Sequence, residues 1–405
     1  MKKLFFIYLL CCSAGLIAQE SEIKPGRKPG VQYIASSSGN YSDAVIVDDS
    51  PLAHTIQFFP IDIAGKVLGS DIREQSKQVF KKLSTALKQS GSGIDKIVKL
   101  NVYIKSHELK DETLSFIQKQ FKAGKVPAIS FVAGNLMHRE ALIAIDAIAV
   151  SSHNSTNVFN ISQASSKVNK PAEVSVMPSG STVYISGQAD KGVLSAASRG
   201  TLKQLGETLD HLGLQKKDVV QIKSFVNPIS DIAIVEKEIA EFFKDEQIPP
   251  LVYVEWLSKD PLVEIELIAS SAGKTIDSKQ QIDFITPAGM TASPVYSRVT
   301  RVNFGKKIYL SGLYGDNPGE AKPEIMDIFK SMGAILHKSG SDFTHLLKAT
   351  YYVSKDAHSS GLNELRPKFY DPKQPPAASK ALVRDVGLKG AGLTIDMIAV
   401  QVAGK

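Results

Sequence analysis

Three acidic residues recur at one place in three similar segments: Asp146 in the run ending at Val150, Glu266 in that ending at Ser270, and Asp396 in that ending at Val400. Apolar and polar residues partly alternate in each run, the pattern of a half-buried strand. A carboxylate held there can exchange a proton with a reacting group. Its plainer use is to pair with a neighbour or to hold a wall by a buried hydrogen bond. Metal and thiol chemistry have little to work with. The two cysteines, Cys11 and Cys12, both lie near the N-terminus, and the eight histidines (54, 107, 138, 153, 211, 337, 345, 358) include no pair at one-turn helix spacing. Phosphate loops, nucleophile elbows and dinucleotide fingerprints are missing as well. No metal and no organic cofactor is expected.

The elements that must position these acids repeat three times. A first helix carries its apolar stripe on Ile72, Val79, Phe80, Leu83 and Leu87, then on Leu202, Leu205, Leu209 and Leu212, then on Ile325, Ile328, Phe329, Met332 and Leu336. Spacings of three, four and seven put one apolar face against a sheet. Gly91, Gly213 and Gly340 stop these helices. A β-rich run follows each (IVKLNVYI, VVQIKSFV, LLKATYYV), then a shorter helix, a proline turn at Pro127, Pro249-Pro250 or Pro375-Pro376, and the acidic strand. Polar stretches at 151–166 and 271–280 read as linkers. The expected fold is therefore α/β in the α+β sense: three domains (28–150, 167–270, 281–403), each a mixed sheet with two helices on one face.

This order, with NYSDAV early in copy one, YISGQ early in copy two, the proline turn and the closing strand, resembles the RidA/YjgF (reactive intermediate deaminase) family. Known members are compact homotrimers with a ligand cleft at each subunit boundary, so the resemblance implies an intramolecular pseudo-trimer with three non-identical clefts. It also implies hydrolysis of imines and enamines derived from amino acids, and four positions to inspect. These are a Tyr before Ser, a Ser-Gly pair on the next strand, an Arg two residues after the turn proline, and the terminal-strand carboxylate that holds or activates water. Copy one has Tyr41 and Asp146 but Ile56-Gln57 in place of Ser-Gly. Copy two has Ser186-Gly187 and Glu266, with Pro171 where the tyrosine belongs. Copy three has Tyr296, Ser311-Gly312 and Asp396.

The arginine is lost three times, to Ile129, Leu251 and Ala378. Two charge-assisted hydrogen bonds at roughly 1.5–3 kcal/mol each go with it, roughly 10²–10⁴ in affinity for an anionic substrate. Two functions follow from different classes. One is a small-molecule-binding protein without ordinary imine deaminase activity; the other is a hydrolase or deaminase acting through Glu266, Asp396 and Asp146. A polar void beside Glu266 or Asp396 would favour chemistry, and an apolar or collapsed cleft would favour binding.

The N-terminus reads as an export signal over 1–18: Lys2-Lys3, an apolar run from Leu4 to Leu10, then small residues before Gln19. Two outcomes stay open, cleavage after Ala18 with secretion or periplasmic release, and lipid attachment at Cys11 or Cys12. Without lipid no membrane association is expected. Export favours the binding function, since short-lived imines arise from cytoplasmic cofactor enzymes. The formal net charge is +7, but the basic residues are scattered pairs rather than the stripe that nucleic acid requires.

Overall fold

A computed structural model describes residues 30–37, 39–162, 170–275 and 278–404. The segment 1–18 read as an export signal, with Cys11 and Cys12, lies outside the described residues.

The sequence copies fold in the same order. Copy one comprises β1 (Val31–Ala35), β2 (Ser42–Val47), β3 (Leu52–Thr55), α1 (Ile72–Gln89), β4 (Ile97–Ile104), α2 (Lys110–Gln118), β5 (Ala128–Ala133) and β6 (Ile143–Val150). Copy two comprises β7 (Phe159–Ile161), β8 (Val174–Met177), β9 (Thr182–Gln188), α3 (Leu194–His211), β10 (Val219–Val226), α4 (Ile232–Phe242), β11 (Leu251–Glu255) and β12 (Val263–Ser270). Copy three comprises β13 (Ile282–Ile285), β14 (Val299–Val302), β15 (Lys307–Leu310), α5 (Ala321–Lys338), β16 (Leu346–Val353), α6 (Asp356–Leu365), β17 (Ala377–Leu382) and β18 (Leu393–Val400). The predicted stripes of α1 and α5 are buried throughout, and so is that of α3 but for the partly buried Leu212. Gly91, Gly213 and Gly340 end these helices at φ of 68°, 67° and 71°. Only glycine takes that left-handed conformation without a Cβ penalty.

Each copy opens with an antiparallel hairpin, yet that hairpin does not complete its own copy's sheet. The three six-stranded sheets run β5-β4-β6-β3-β8-β7, β11-β10-β12-β9-β14-β13 and β1-β2-β15-β18-β16-β17. The hairpin of copy two thus joins the sheet of copy one, that of copy three joins copy two, and that of copy one joins copy three. The cause is local. The short connection at 48–51 suits a tight turn between β2 and β3, but the chain runs on from one sheet to the next. There β2 pairs with β15, placing Val47 opposite Lys307, and β3 pairs with β8, placing Leu52 opposite Met177. Because β3, β9 and β15 are equivalent, each hairpin finds the same kind of edge in the neighbouring copy. One parallel pair per sheet (β4·β5, β10·β11, β16·β17) makes all three sheets mixed.

The helices cover one face of each sheet over a core of that sheet's own residues. On the other faces the three sheets meet one another. Val98, Ile268 and Leu347 share one apolar cluster there, and Tyr103, Phe225 and Tyr352 share another.

Candidate functional site

Strands β5, β11 and β17 are the sheet edges that follow the proline turns, and an edge needs its backbone groups paired. Each is met by the segment carrying the Ser-Gly position of another copy. Gly312 N donates to Ile129 O, Gln57 N to Leu251 O, and Gly187 N to the Ser379 hydroxyl at 3.1 Å. Three boundaries result: copy three with one, one with two, and two with three. At the first, the Ser311 hydroxyl accepts from Ile129 N at 2.8 Å and donates to Ser42 O at 2.6 Å. The glycines are needed because neighbours press close. A Cβ on Gly187 would lie 2.0 Å from a Glu264 oxygen, and one on Gly312 3.1 Å from the Thr394 hydroxyl.

Strand exchange decides which tyrosine serves which boundary. Since β14 pairs with β9, and Ser186 N donates to Arg298 O, Tyr296 belongs to the boundary that carries Ser186-Gly187. The guanidinium of Arg298 sits over the Tyr296 ring, 5.0 Å from its centroid. Tyr41 likewise leads into β2 beside Ser311-Gly312, and Pro171 stands with Ile56-Gln57. The tyrosine that copy two lacks in sequence is therefore supplied in space by copy three.

The three repeated carboxylates lie deeper, where the sheets converge. Asp396 accepts from Lys99 Nζ at 2.7 Å, and Glu266 from Lys348 Nζ at 2.7 Å. Asp146 is fully buried and accepts from Asn101 Nδ2 and the Tyr103 hydroxyl, both at 2.8 Å. Lys223 is its strongest charged neighbour. Lys99 and Lys348 thus each face the acid of another copy, copy one to three and three to two, while Lys223 reaches the Tyr352 hydroxyl at 3.4 Å and acts on Glu266 of its own copy before Asp146. Burial alone would raise Asp396, but Lys99, Lys223 and Lys348 hold its carboxyl below the ordinary range. At Asp146 burial wins and the carboxyl is raised. The void among these groups is about 30 Å³, room for about two or three waters at about 10–15 Å³ each. It is polar but far too small for a substrate. The structure thus brings Asp146, Glu266 and Asp396 together with one another, and Ser186, Gly187 and Tyr296 at a separate outer boundary.

Glu264, two residues before Glu266, is the acid that reaches that boundary. Residues two apart on a strand share a face, and Glu264 lies against Gly187 with its carboxyl bonded to Ser379. Burial, then the charge of Glu266, pushes it up to about 8, with Ser379, Lys380 and Lys348 opposing. Repetition hid this residue, because Ala144 and Thr394 occupy its place in the other copies. The alternation Glu264-Ile265-Glu266 was the available signal. A carboxyl that shares its proton near neutrality can serve as acid or base.

The boundary of copies one and two is different in kind. It holds a pocket of about 160 Å³ lined by Ile56, Gln57, Phe59, Ile61, Met137, His138, Pro171, Glu236, Leu251 and Tyr253. Gln57 closes its floor, donating to Tyr253 O and accepting from Tyr253 N, both at 3.1 Å. At the remaining boundary aromatic groups dominate. Lys110 Nζ stands 4.2 Å from the centroid of the Tyr314 ring, and burial pushes it down to about 8.

Among families, the one described as Endoribonuclease L-PSP matches three times, at residues 34–151, 171–271 and 288–401. Among curated proteins, the chain is 28% identical over 114 residues to human 2-iminobutanoate/2-iminopropanoate deaminase, covering 26% of this chain and 80% of that one. It is 28% identical over 146 residues to the chloroplastic Reactive Intermediate Deaminase A of Arabidopsis thaliana, covering 34% and 72%. Protein DfrA of Myxococcus xanthus is 27% identical over 137 residues, covering 32% and 97%. Among solved structures, a Rid-family protein of Yersinia pestis aligns at 22% identity with a TM-score of 0.25, covering 30% of this chain and 98% of that one.

Proposed function

The chain belongs to the Endoribonuclease L-PSP (RidA/YjgF) family as three divergent copies in tandem, and from that premise we propose that it is an exported small-molecule-binding protein without ordinary 2-imino-acid deaminase activity. One chain takes the place of a trimer, and its boundaries are the clefts. The observation that carries the reading is the uncharged state of the position after each proline turn. Ile129 and Leu251 are buried among the helix-side cores of their own sheets, and Ala378 packs against a third. No cleft has a cation at that position to grip a substrate carboxylate, and that grip would also set the imine carbon against water. The mainly apolar pocket at the boundary of copies one and two supports binding.

A hydrolase is the second reading, favoured by Glu264 with its raised carboxyl beside Gly187 and Ser379. One experiment separates the two. Imines are generated in situ by an amino-acid oxidase, and their hydrolysis is followed with and without the purified protein. The binding reading expects no acceleration. Acceleration that Glu264→Gln abolishes would establish the hydrolase instead, and acceleration sensitive to Glu266→Gln or Asp396→Asn alone would return the chemistry to the inner acids.

A further inference from the structure

The charge pattern of the pocket between copies one and two points to the class of molecule it takes. Where the cleft has lost a cation to Leu251, helix α4 places a carboxylate, Glu236, in the wall. Ile56, Phe59, Ile61, Met137 and Leu251 form the apolar lining. Of the polar groups, Gln57 is fully engaged with the backbone of Tyr253. The Tyr253 hydroxyl, on a residue only 6% exposed, has the Glu236 carboxylate as its interaction partner.

The other charges nearby do not reverse the sign. His138 packs edge-on against Phe59 at 4.8 Å, and burial followed by the nearby Lys82 holds it below its ordinary range, so the ring is neutral at pH 7. Lys82 is in turn offset by Glu173 and Asp62. The volume of about 160 Å³ is close to the ~150 Å³ that holds one benzene.

We propose that this pocket binds a small organic amine of about one ring in size, its ammonium bonded to Glu236 and Tyr253 and its apolar body against Leu251, Phe59 and Ile56. The inference rests on the binding reading above and narrows it, since it inverts the charge of the ligand from anion to cation. A carboxylate ligand would face Glu236 across a desolvated pocket, where like charges repel strongly.

The test titrates the full-length mature protein with benzylamine, benzyl alcohol and benzoate at pH 7, by calorimetry and by ligand-observed NMR. Benzylamine should bind saturably, benzyl alcohol at least tenfold more weakly, and benzoate more weakly still. Glu236→Gln should remove the preference for the amine while leaving the alcohol unchanged. Leu251→Trp, which fills the pocket, should abolish all binding. Equal binding of alcohol and amine, or an amine preference that survives Glu236→Gln, overturns the charge assignment and leaves cleft binding standing. Binding that survives Leu251→Trp, or no binding by any of the three, overturns the pocket itself.

Discussion

Replacing Lys99 by Met removes one arm of the inner charge cluster while keeping most of the side-chain volume. Lys99 is 2% exposed and donates to Asp396 at 2.7 Å, to the Ser130 hydroxyl at 2.7 Å and to Leu310 O at 2.5 Å. Three acceptors lose their donor together, and they belong to two copies. Removing one partner of a buried ion pair costs about 3–5 kcal/mol, because the other charge is left unpaired. Lys223 and Lys348 still act on Asp396, so the low end, about 3 kcal/mol, is expected. Roughly 2–4 °C per kcal/mol applies to a cooperative unit of 150–250 residues. If the sheets melt together in units of that size, the midpoint should fall by about 6–12 °C. The exposed pair Lys322–Glu364, 2.8 Å apart but with side chains 63% and 50% exposed, is the control. Lys322→Met should cost well under about 1 kcal/mol. Calorimetry and urea unfolding of both variants make the comparison, and adding Asp396→Asn to Lys99→Met should recover part of the loss through a coupling of about 0.5–3 kcal/mol. A Lys99→Met cost no larger than that of Lys322→Met would refute the view that these acids hold the three sheets together.

His54 is fully buried, and burial, then Lys307, lowers its pKa from 6.5 to about 3. The unfolded chain therefore binds more protons between those values, and this contribution to stability is complete above pH 6.5 and shrinks as pH falls towards 3. At pH 5 His54 should cost about 2 kcal/mol relative to pH 8; urea midpoints of the wild type and His54→Leu should diverge by that amount, and parallel pH profiles would contradict it. For assembly and export, light scattering and intact mass of the exported protein should give a single chain beginning near Gln19. A nine-domain trimer of chains, or a diacylated Cys11 or Cys12, would count against this.

Repetition is the strongest signal in the sequence, and periodicity carries it. The stripes of α1, α3 and α5, their glycine stops and the buried runs of β4, β10 and β16 are local patterns, so three copies of one α+β unit were legible. At the site the same signal marks only the residues that recur. It singled out Asp146, Glu266 and Asp396 because they recur, whereas the acid that reaches Gly187 is Glu264, which occurs once. Recurrence marks what all three copies need in common, and here that is an interior in which the acids are buried together, two of them paired with a lysine of another copy.

The sequence by itself determined the unit, the number of copies and the loss of the arginine at Ile129, Leu251 and Ala378, since each depends on residue type and near-neighbour spacing. Only the tertiary structure decided which copy's residues meet. No local rule says that β2 should pass its near neighbour β3 and pair with β15, because a hairpin and an exchanged strand make the same ladder of hydrogen bonds and differ only in where the connection leads. That choice gives Tyr296 to the boundary of Ser186-Gly187 and leaves Pro171 beside Ile56-Gln57, Leu251 and Glu236. Contacts between residues more than a hundred positions apart set the polarity of each cleft, and they exist only once the three sheets have closed on one another.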